Sequence, residues 1–285
     1  MIIDTLFDVV IDTLKLLPFL YITYLLMEYI EDKAESRMIN TLWKYEKAGP
    51  FFGAALGIIP QCGFSAAAAS LFSGGIITGG TLLAVFLSTS DEMLPIMLSE
   101  TVSPLKIGHI LLTKFIFAVI FGIAADLIHG VFKRRPHFKH IHEMCEREDC
   151  HCEEGNIWKS ALVHTGHITI FIFIISLAFA YLVAILGQDR LAGFISQTPV
   201  AGTFLCGIIG LIPNCAASVM ITELYLNGII GAGQLIAGLM VGAGVGLLVL
   251  FRTNTDLREN IRMLTTLYIC GVLSGLIVEW SGISF

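Results

Sequence analysis

Residues 57–65 read GIIPQCGFS and residues 210–218 read GLIPNCAAS, so the chain carries the same short pattern twice. At this spacing of 153 residues, 12 of the 28 positions from 57 to 84 are identical to their counterparts. Apolar composition alone accounts for matched leucine and isoleucine, but not for matched proline, cysteine, serine and three glycines. The pattern therefore predicts an internal duplication.

The composition excludes a water-soluble globule and indicates a membrane protein. Hydrophobic residues make up 55% of the 285 positions and charged residues only 14%, too few to cover a soluble surface. A helix needs about 20 apolar residues to cross about 30 Å of hydrocarbon. Apolar runs long enough for this lie near residues 13–30, 76–98, 107–128, 160–186, 229–251 and 263–281. We therefore predict six spanning helices.

The distribution of basic residues predicts the topology. Lysine and arginine are concentrated in the loops near residues 33–47, 131–159 and 252–262, whereas the loops near 99–106 and 187–200 hold one basic residue each. Because basic residues favour the cytoplasmic side, we expect the first three loops inside and the other two outside, with both termini external. Residues 48–73 must then enter the membrane and return, and residues 201–226 must do the same from the opposite side.

These observations predict an all-α polytopic membrane protein with inverted repeats. Each half would hold three spanning helices and one re-entrant helical hairpin, broken at Pro60-Gln61-Cys62 or at Pro213-Asn214-Cys215. The predicted units are a first transmembrane repeat (1–130), a cytoplasmic linker rich in histidine and cysteine (131–158) and a second, inverted repeat (159–285). In the alternative, the proline segments are kinked spanning helices, which would place the basic residues 133–135 outside.

The hairpin tips are candidate substrate sites, because irregular backbone is tolerated at membrane depth only beside protein or a water-filled cavity. Each tip offers an amide, a thiol and a hydroxyl, ligands of mixed hardness that suit a metal ion or an anion. These candidate substrate ligands are Gln61, Cys62, Ser65, Asn214, Cys215 and Ser218. Alternatively, their small side chains simply permit close helix packing.

Adjacent acids inside an apolar run mark a candidate coupling site. Asp91 and Glu92 interrupt the second run, and intramembrane acids usually belong to ion or proton pathways. We expect them to bind substrate and to couple transport to an ion. Lys114 lies in mid-span and needs a partner, for which Asp91 or Glu92 is the natural candidate, and Glu223 of the second hairpin is a further coupling candidate. The alternative places both acids at the external interface.

Two pairs of polar residues lie near the ends of predicted spans. His164 and His167 are three positions apart, so they share one helical face and suit a metal or a proton relay, unless they merely cap and solvate the helix end. Asp126 and Glu279 occupy matching positions in the two halves. We expect those two acids to extend towards the membrane interface.

The linker has the composition of a flexible soft-metal site. Its candidate ligands are His137, His140, His142, Cys145, Cys150, His151 and Cys152. A solvated charge run would explain the glutamates and lysines of this segment, but not its density of cysteine and histidine. We expect the linker to capture or sense metal.

The chain resembles a known family at these motifs. The two Pro-Gln/Asn-Cys repeats, the Ser-Asp-Glu-Met-Leu-Pro segment at 90–95 and the histidine-rich linker are similar to the ten-helix heavy-metal exporter family. Members of that family are labelled arsenic efflux protein or manganese transporter. The resemblance covers nearly the whole chain and implies outward movement of a metal or metalloid.

Together these features predict a secondary-active exporter of a metal or metalloid ion, such as a manganese-like cation or an arsenic species, working by alternating access. The alternatives are an ion channel with a filter of paired half-helices, a transporter of a small anion and a membrane thiol oxidoreductase. A Walker motif and a C-x-x-C pair are both absent, which argues against ATP-driven pumping and against redox enzymology, so we expect no enzyme and no cofactor. The expected location is the inner (plasma) membrane, and the expected partners are lipid, the transported ion and a second copy in a homodimer, with no nucleic acid.

Overall fold

The computed structural model describes residues 9–11, 13–18, 20–25, 48–90, 92–128, 157–186, 199–283 and 285. Within these ranges the chain forms helices and turns and no strand. Residues 13–18 and 20–25 are helical and belong to the first predicted run. The later helices of the described part are α1 (Gly49–Gly57), α2 (Cys62–Ser73), α3 (Gly79–Ser88), α4 (Met93–Ser99), α5 (Pro104–Ile128), α6 (Ile157–Leu186), α7 (Pro199–Gly210), α8 (Cys215–Leu226), α9 (Ala232–Val241), α10 (Val245–Thr253) and α11 (Leu257–Ser281).

Five helical segments of the described ranges are long and apolar enough to cross a membrane. They are Gly79–Ser99, Pro104–Ile128, Ala161–Ala178, Ala232–Thr253 and Leu257–Ser281. Each falls within or over one of the predicted apolar runs, so five of the six expected spans have a matching helix. Two of these spans are discontinuous, because α3 is separated from α4 at residues 89–92 and α9 from α10 at residues 242–244. The helices α7 and α8 are apolar but much shorter.

The helix boundaries repeat at the spacing of the sequence pattern. The helices α2 and α8 begin and end 153 residues apart, and so do α3 and α9, and α5 and α11. The packing repeats as well, since α3 packs against α1 and α5, while α9 packs against α7 and α11. Two of the short helices pack against the other half: α2 packs against α10, and α8 packs against α4. Each half is therefore built partly on the other.

Paired glycines explain why the helices within each half approach so closely. A Cβ placed on Gly80 of α3 would lie 2.2 Å from the carbonyl oxygen of Gly122 in α5, so the two helices are in backbone contact here. In the second half, a Cβ on Gly233 of α9 would lie 2.6 Å from the carbonyl oxygen of Gly275 in α11, which is the corresponding contact. Small residues at such contacts let membrane helices pack backbone against backbone.

The two discontinuous spans form the centre of the molecule. All ten residues of α3 are buried, and so are the residues of α9 from Gly233 to Val241. The helix α5 lies further out and exposes an apolar stripe that includes Leu112, Ile116 and Ile120. An apolar outer surface around a packed interior is the arrangement that a lipid environment stabilises.

Candidate functional site

The chain leaves the helical conformation at both places where the sequence has proline followed by an amide. Gln61 (φ −157°, ψ 112°) and Asn214 (φ −146°, ψ 144°) have extended backbones directly before α2 and α8. Asn214 Oδ1 accepts a hydrogen bond of 3.0 Å from the Ala216 N–H and so caps α8. The Gln61 side chain donates to the Lys15 carbonyl and that of Asn214 to the Ser176 carbonyl, each at 3.3 Å. Both amides therefore bond the chain break to a neighbouring helix.

A small cavity lies where three chain breaks meet. The centre of a water molecule can occupy about 20 Å³ of this cavity. A space of that size holds one water molecule or one small ion. The α3–α4 break, the α7–α8 break and the α9–α10 break all contribute to its wall. The lining residues are Thr89, Ser90, Met93, Gly210, Ile212, Asn214, Cys215, Ala217, Ser218, Gly238, Leu239, Gly242 and Gly244.

Lys114 brings a buried positive charge to the wall of this cavity. Its side chain is fully buried, and its Nζ donates to the Thr89 carbonyl, to Ser90 Oγ at 3.2 Å and to the Leu239 carbonyl at 3.3 Å. All three acceptors belong to residues that line the cavity. Thr89 and Ser90 belong to the first half and Leu239 to the second, so the ammonium group joins the two halves beside the cavity.

The partner expected for Lys114 was a carboxylate, and the described partners are carbonyl and hydroxyl oxygens. Asp91 lies outside the described residues, and Glu92 is half-buried at the start of α4. Thr89 and Ser90 were missed as site residues, although they directly precede the two acids in the sequence. A hydroxyl next to two acids within an apolar run is the signal that could have identified Ser90.

The predicted substrate ligands divide between the two hairpins. Asn214, Cys215 and Ser218 of the second hairpin line the cavity together. Ser65 of the first hairpin is buried against α10, where a Cβ on Gly246 would lie 2.8 Å from Ser65 Cβ. The side chain of Cys62 lies outside the described part of the chain. The geometry therefore brings together the ligands of one hairpin and uses Ser65 in packing.

The remaining candidates lie away from the cavity or outside the described residues. Glu223 is exposed on α8 and His167 is exposed on α6. The side chain of His164 is not among those described, and neither is any of the linker ligands between residues 137 and 152. Within the described ranges, no three residues of the types His, Cys, Asp and Glu are grouped to hold a metal ion.

Asp126 caps a helix of its own half, a role that the sequence did not predict. Its Oδ1 accepts from the Gly80 N–H and its Oδ2 from Thr78 Oγ1, both at 2.8 Å, at the start of α3. A carboxylate at this position satisfies free N–H groups and complements the helix dipole. Glu279 is half-buried and lies close to Gly233 at the start of α9. The matched positions of the two acids were the available signal that both lie beside the start of a central helix.

Comparison with known proteins gives a family for the chain. Residues 2–173 match the family described as "Putative, 10TM heavy-metal exporter". Neither a curated protein nor a solved structure matches the chain. The family match covers more than half of the 285 residues. By this match, and in agreement with its all-helical architecture, the chain belongs to this family of membrane-embedded heavy-metal exporters.

Proposed function

We propose that this exporter is a secondary-active transporter in which one metal or metalloid ion binds at the cavity between Lys114 and Cys215 and crosses by alternating access. The observation that carries the proposal is the meeting of three helix breaks around a cavity of ionic size. Transporters commonly bind substrate and coupling ions at discontinuous helices near the membrane midplane.

The chemistry of the cavity wall suits a small ion of intermediate softness. Cys215 offers a thiol, Asn214 an amide oxygen, and Ser218 and Ser90 offer hydroxyls. The breaks also bring backbone groups to the cavity wall, and irregular backbone at membrane depth is tolerated only where protein or a water-filled cavity surrounds it. Soft thiolate and hard oxygen ligands together favour a borderline metal or a metalloid.

The repeated architecture supports a topology of two inverted halves. A helix of twelve residues such as α2 or α8 rises about 18 Å, well short of the hydrocarbon thickness. We infer that α1–α2 and α7–α8 are re-entrant hairpins that enter from opposite sides. The exchange of contacts between α2 and α10, and between α8 and α4, would then be the pivot about which the halves rock.

Asp91 and Glu92 would provide the coupling. They follow Ser90, whose hydroxyl accepts from Lys114, so they lie next in sequence to the cavity wall. A buried carboxylate exchanges a proton or a cation more readily than it remains charged and unpaired. Energy would therefore come from a gradient of protons or of another ion, and the direction would be out of the cell across the plasma membrane.

The test is transport by the purified full-length protein in sealed vesicles. Manganese, arsenite and an inorganic oxyanion would be offered with and without a pH gradient. We expect saturable, gradient-driven flux of one metal or metalloid, and we expect Asp91→Asn or Glu92→Gln to reduce that flux at least about tenfold, since each removes a charge that neither an amide nor water replaces. Cys270→Ser, a change in α11 away from the cavity, is the control.

Three results would contradict the proposal. Non-saturating flux that ignores gradients would favour a channel. Selective flux of the oxyanion would favour an anion transporter, for which the Lys114 ammonium is the supporting feature. Wild-type flux and pH dependence in both carboxylate variants would exclude these acids as the coupling element.

A further inference from the structure

A buried polar cluster closes one end of the molecule. Asn254 Nδ2 donates to Glu259 Oε2 and to Asn260 Oδ1, both at 2.8 Å, and Asn260 Nδ2 donates to the Asn254 carbonyl at 3.0 Å. The hydroxyls of Thr253 and Ser73 are hydrogen-bonded at 2.6 Å. Each of these five side chains is between 1% and 8% exposed. The cluster, here called the polar latch, fastens the α10–α11 turn of the second half onto the end of α2 in the first.

The equivalent place in the other half is open. Shifting the latch by 153 residues leads to the α4–α5 turn and the end of α8, where Leu226 matches Ser73 and Lys106 matches Glu259. An open cavity of about 530 Å³ lies there, lined by Ser103, Lys106 and Leu226 among others. Among the described residues, two sites built from corresponding elements therefore differ: one is filled by a hydrogen-bonded cluster, and the other holds a cavity.

The backbones of the two turns differ in the same way. Asn254 has φ −88° and ends α10 in an extended conformation. Its counterpart Thr101 has φ 53°, a left-handed conformation that β-branched residues rarely adopt. The difference shows that the turns have distinct conformations and not just different side chains.

The helices α2 and α8 connect the two sites to the centre of the molecule. The helix α8 begins at Cys215 in the wall of the central cavity and ends at Leu226 beside the open cavity. The helix α2 begins at the other hairpin tip and ends at Ser73 in the polar latch. Each of these two helices thus runs from a chain break to one of the two sites.

We propose that the polar latch is the cytoplasmic gate of the transport pathway, closed in this structure, and that the open cavity beside Leu226 is the external entrance for the substrate ion. The assignment of sides uses the predicted topology, and the inference rests on the proposed function. Inverted repeats generate two states by exchanging the conformations of their halves. The latch opens in the second state, while the α4–α5 turn closes over α8.

The experiment follows the two entrances with cysteine reporters at matched positions. The full chain carries Ser73→Cys in the latch and Leu226→Cys in the open cavity, and a water-soluble maleimide labels the purified protein in nanodiscs, where both faces are accessible. Mass spectrometry of the two reporter peptides separates them from the native cysteines. We expect the reporter at position 226 to react at least about tenfold faster than the reporter at position 73, because Ser73 is 5% exposed.

Breaking the latch should expose the slow reporter. Asn260→Ala removes two hydrogen bonds of the cluster, and the loss of buried bonds of this kind shifts a two-state equilibrium by about tenfold. The rate at position 73 should rise by that factor. Thr253→Val should change the rate at position 73 less than Asn260→Ala does, because the Ser73→Cys reporter has already replaced the hydroxyl that bonds Thr253. Glu100→Ala, at the position that matches Thr253, is exposed and should change neither rate.

A wedge in the open cavity distinguishes a gate from local loosening. A bulky maleimide placed first on the cysteine at position 226 should hold the external entrance open, so the latch should stay shut and the rate at position 73 in Asn260→Ala should return to its original value. An unchanged fast rate after wedging would overturn the proposal, and so would equal rates at the two reporters in the parent chain. Labelling needs no substrate, so these outcomes are independent of whether the vesicle assay detects flux.

Discussion

The two central spans are interrupted at corresponding places but by different residues. The α3–α4 break includes Thr89 and Ser90 and ends at Glu92, whereas the α9–α10 break consists of Gly242, Ala243 and Gly244. Gly244 has φ 54°, a conformation that glycine adopts without steric cost. One break therefore carries polar side chains, and the other is built from glycine and alanine.

The same contrast holds for the helices that support the breaks. Lys114 of α5 corresponds to Leu267 of α11, and both side chains are fully buried. By contrast, the glycine contacts between α3 and α5 recur between α9 and α11. The two halves thus share the packing that forms the scaffold, while the lysine at this position is present only in the first half.

The largest expected effect concerns this single charge. Lys114→Met should lower transport by about a hundredfold in vesicles, because it deprives three oxygen acceptors of their donor at about 1–3 kcal/mol each and frees the α3–α4 break from α9. Leu267→Met, the matched change in the second half, should cost less than about 1.5 kcal/mol and leave transport intact. Equal losses in both variants would contradict the difference between the halves.

The second prediction tests what the halves share. Gly80→Ala and Gly233→Ala should each lower stability by about 2–3 kcal/mol, since the added Cβ overlaps a backbone oxygen that cannot move independently of its helix. Thermal unfolding in detergent would measure both. Gly108→Ala in α5 is the control, because a Cβ there meets nothing within 4 Å and alanine is the better helix former. A stable Gly233 variant beside an unstable Gly80 variant would mean that only the first half is closely packed.

The smallest effect is expected at the thiols. Cys215→Ser should shift the preference between a soft and a hard metal by about three- to tenfold in competition transport, because a hydroxyl is the harder ligand. Cys215 lines the central cavity, so its change should exceed that of Cys206→Ser, which is buried in α7. Cys62→Ser sharpens the comparison of the two hairpins. An equal shift there would mean that both tips contact the ion.

The sequence predicted the spans well because the hydrophobic effect acts on each apolar run separately. Runs such as 107–128 and 263–281 contain enough apolar surface to require a membrane helix whatever their neighbours are, and the structure has α5 and α11 there. The short helices α2 and α8 were also expected, since proline removes a backbone donor and ends a helix. Which side chains would meet was harder to predict.

The composition of the site depends on contacts between distant parts of the chain. The bond from Lys114 to the Leu239 carbonyl joins residues 125 positions apart, and it exists only because α9 packs against α3 and α5. A search for acids near Lys114 could not have identified a backbone carbonyl as its acceptor. The capping role of Asp126 was missed for the same reason, since its partners at Thr78 and Gly80 are 46 to 48 positions away.

The packing of α2 and α8 against the opposite half has a parallel among oligomeric proteins. Because α2 packs on α10 and α8 packs on α4, each half lends an arm to the other, as two protomers do in a domain-swapped dimer. Two separate copies of a chain of half this length would form the same contacts with each other. In a single chain the two halves are always present in equal numbers, and they can differ in sequence, as they do at Lys114 and Leu267.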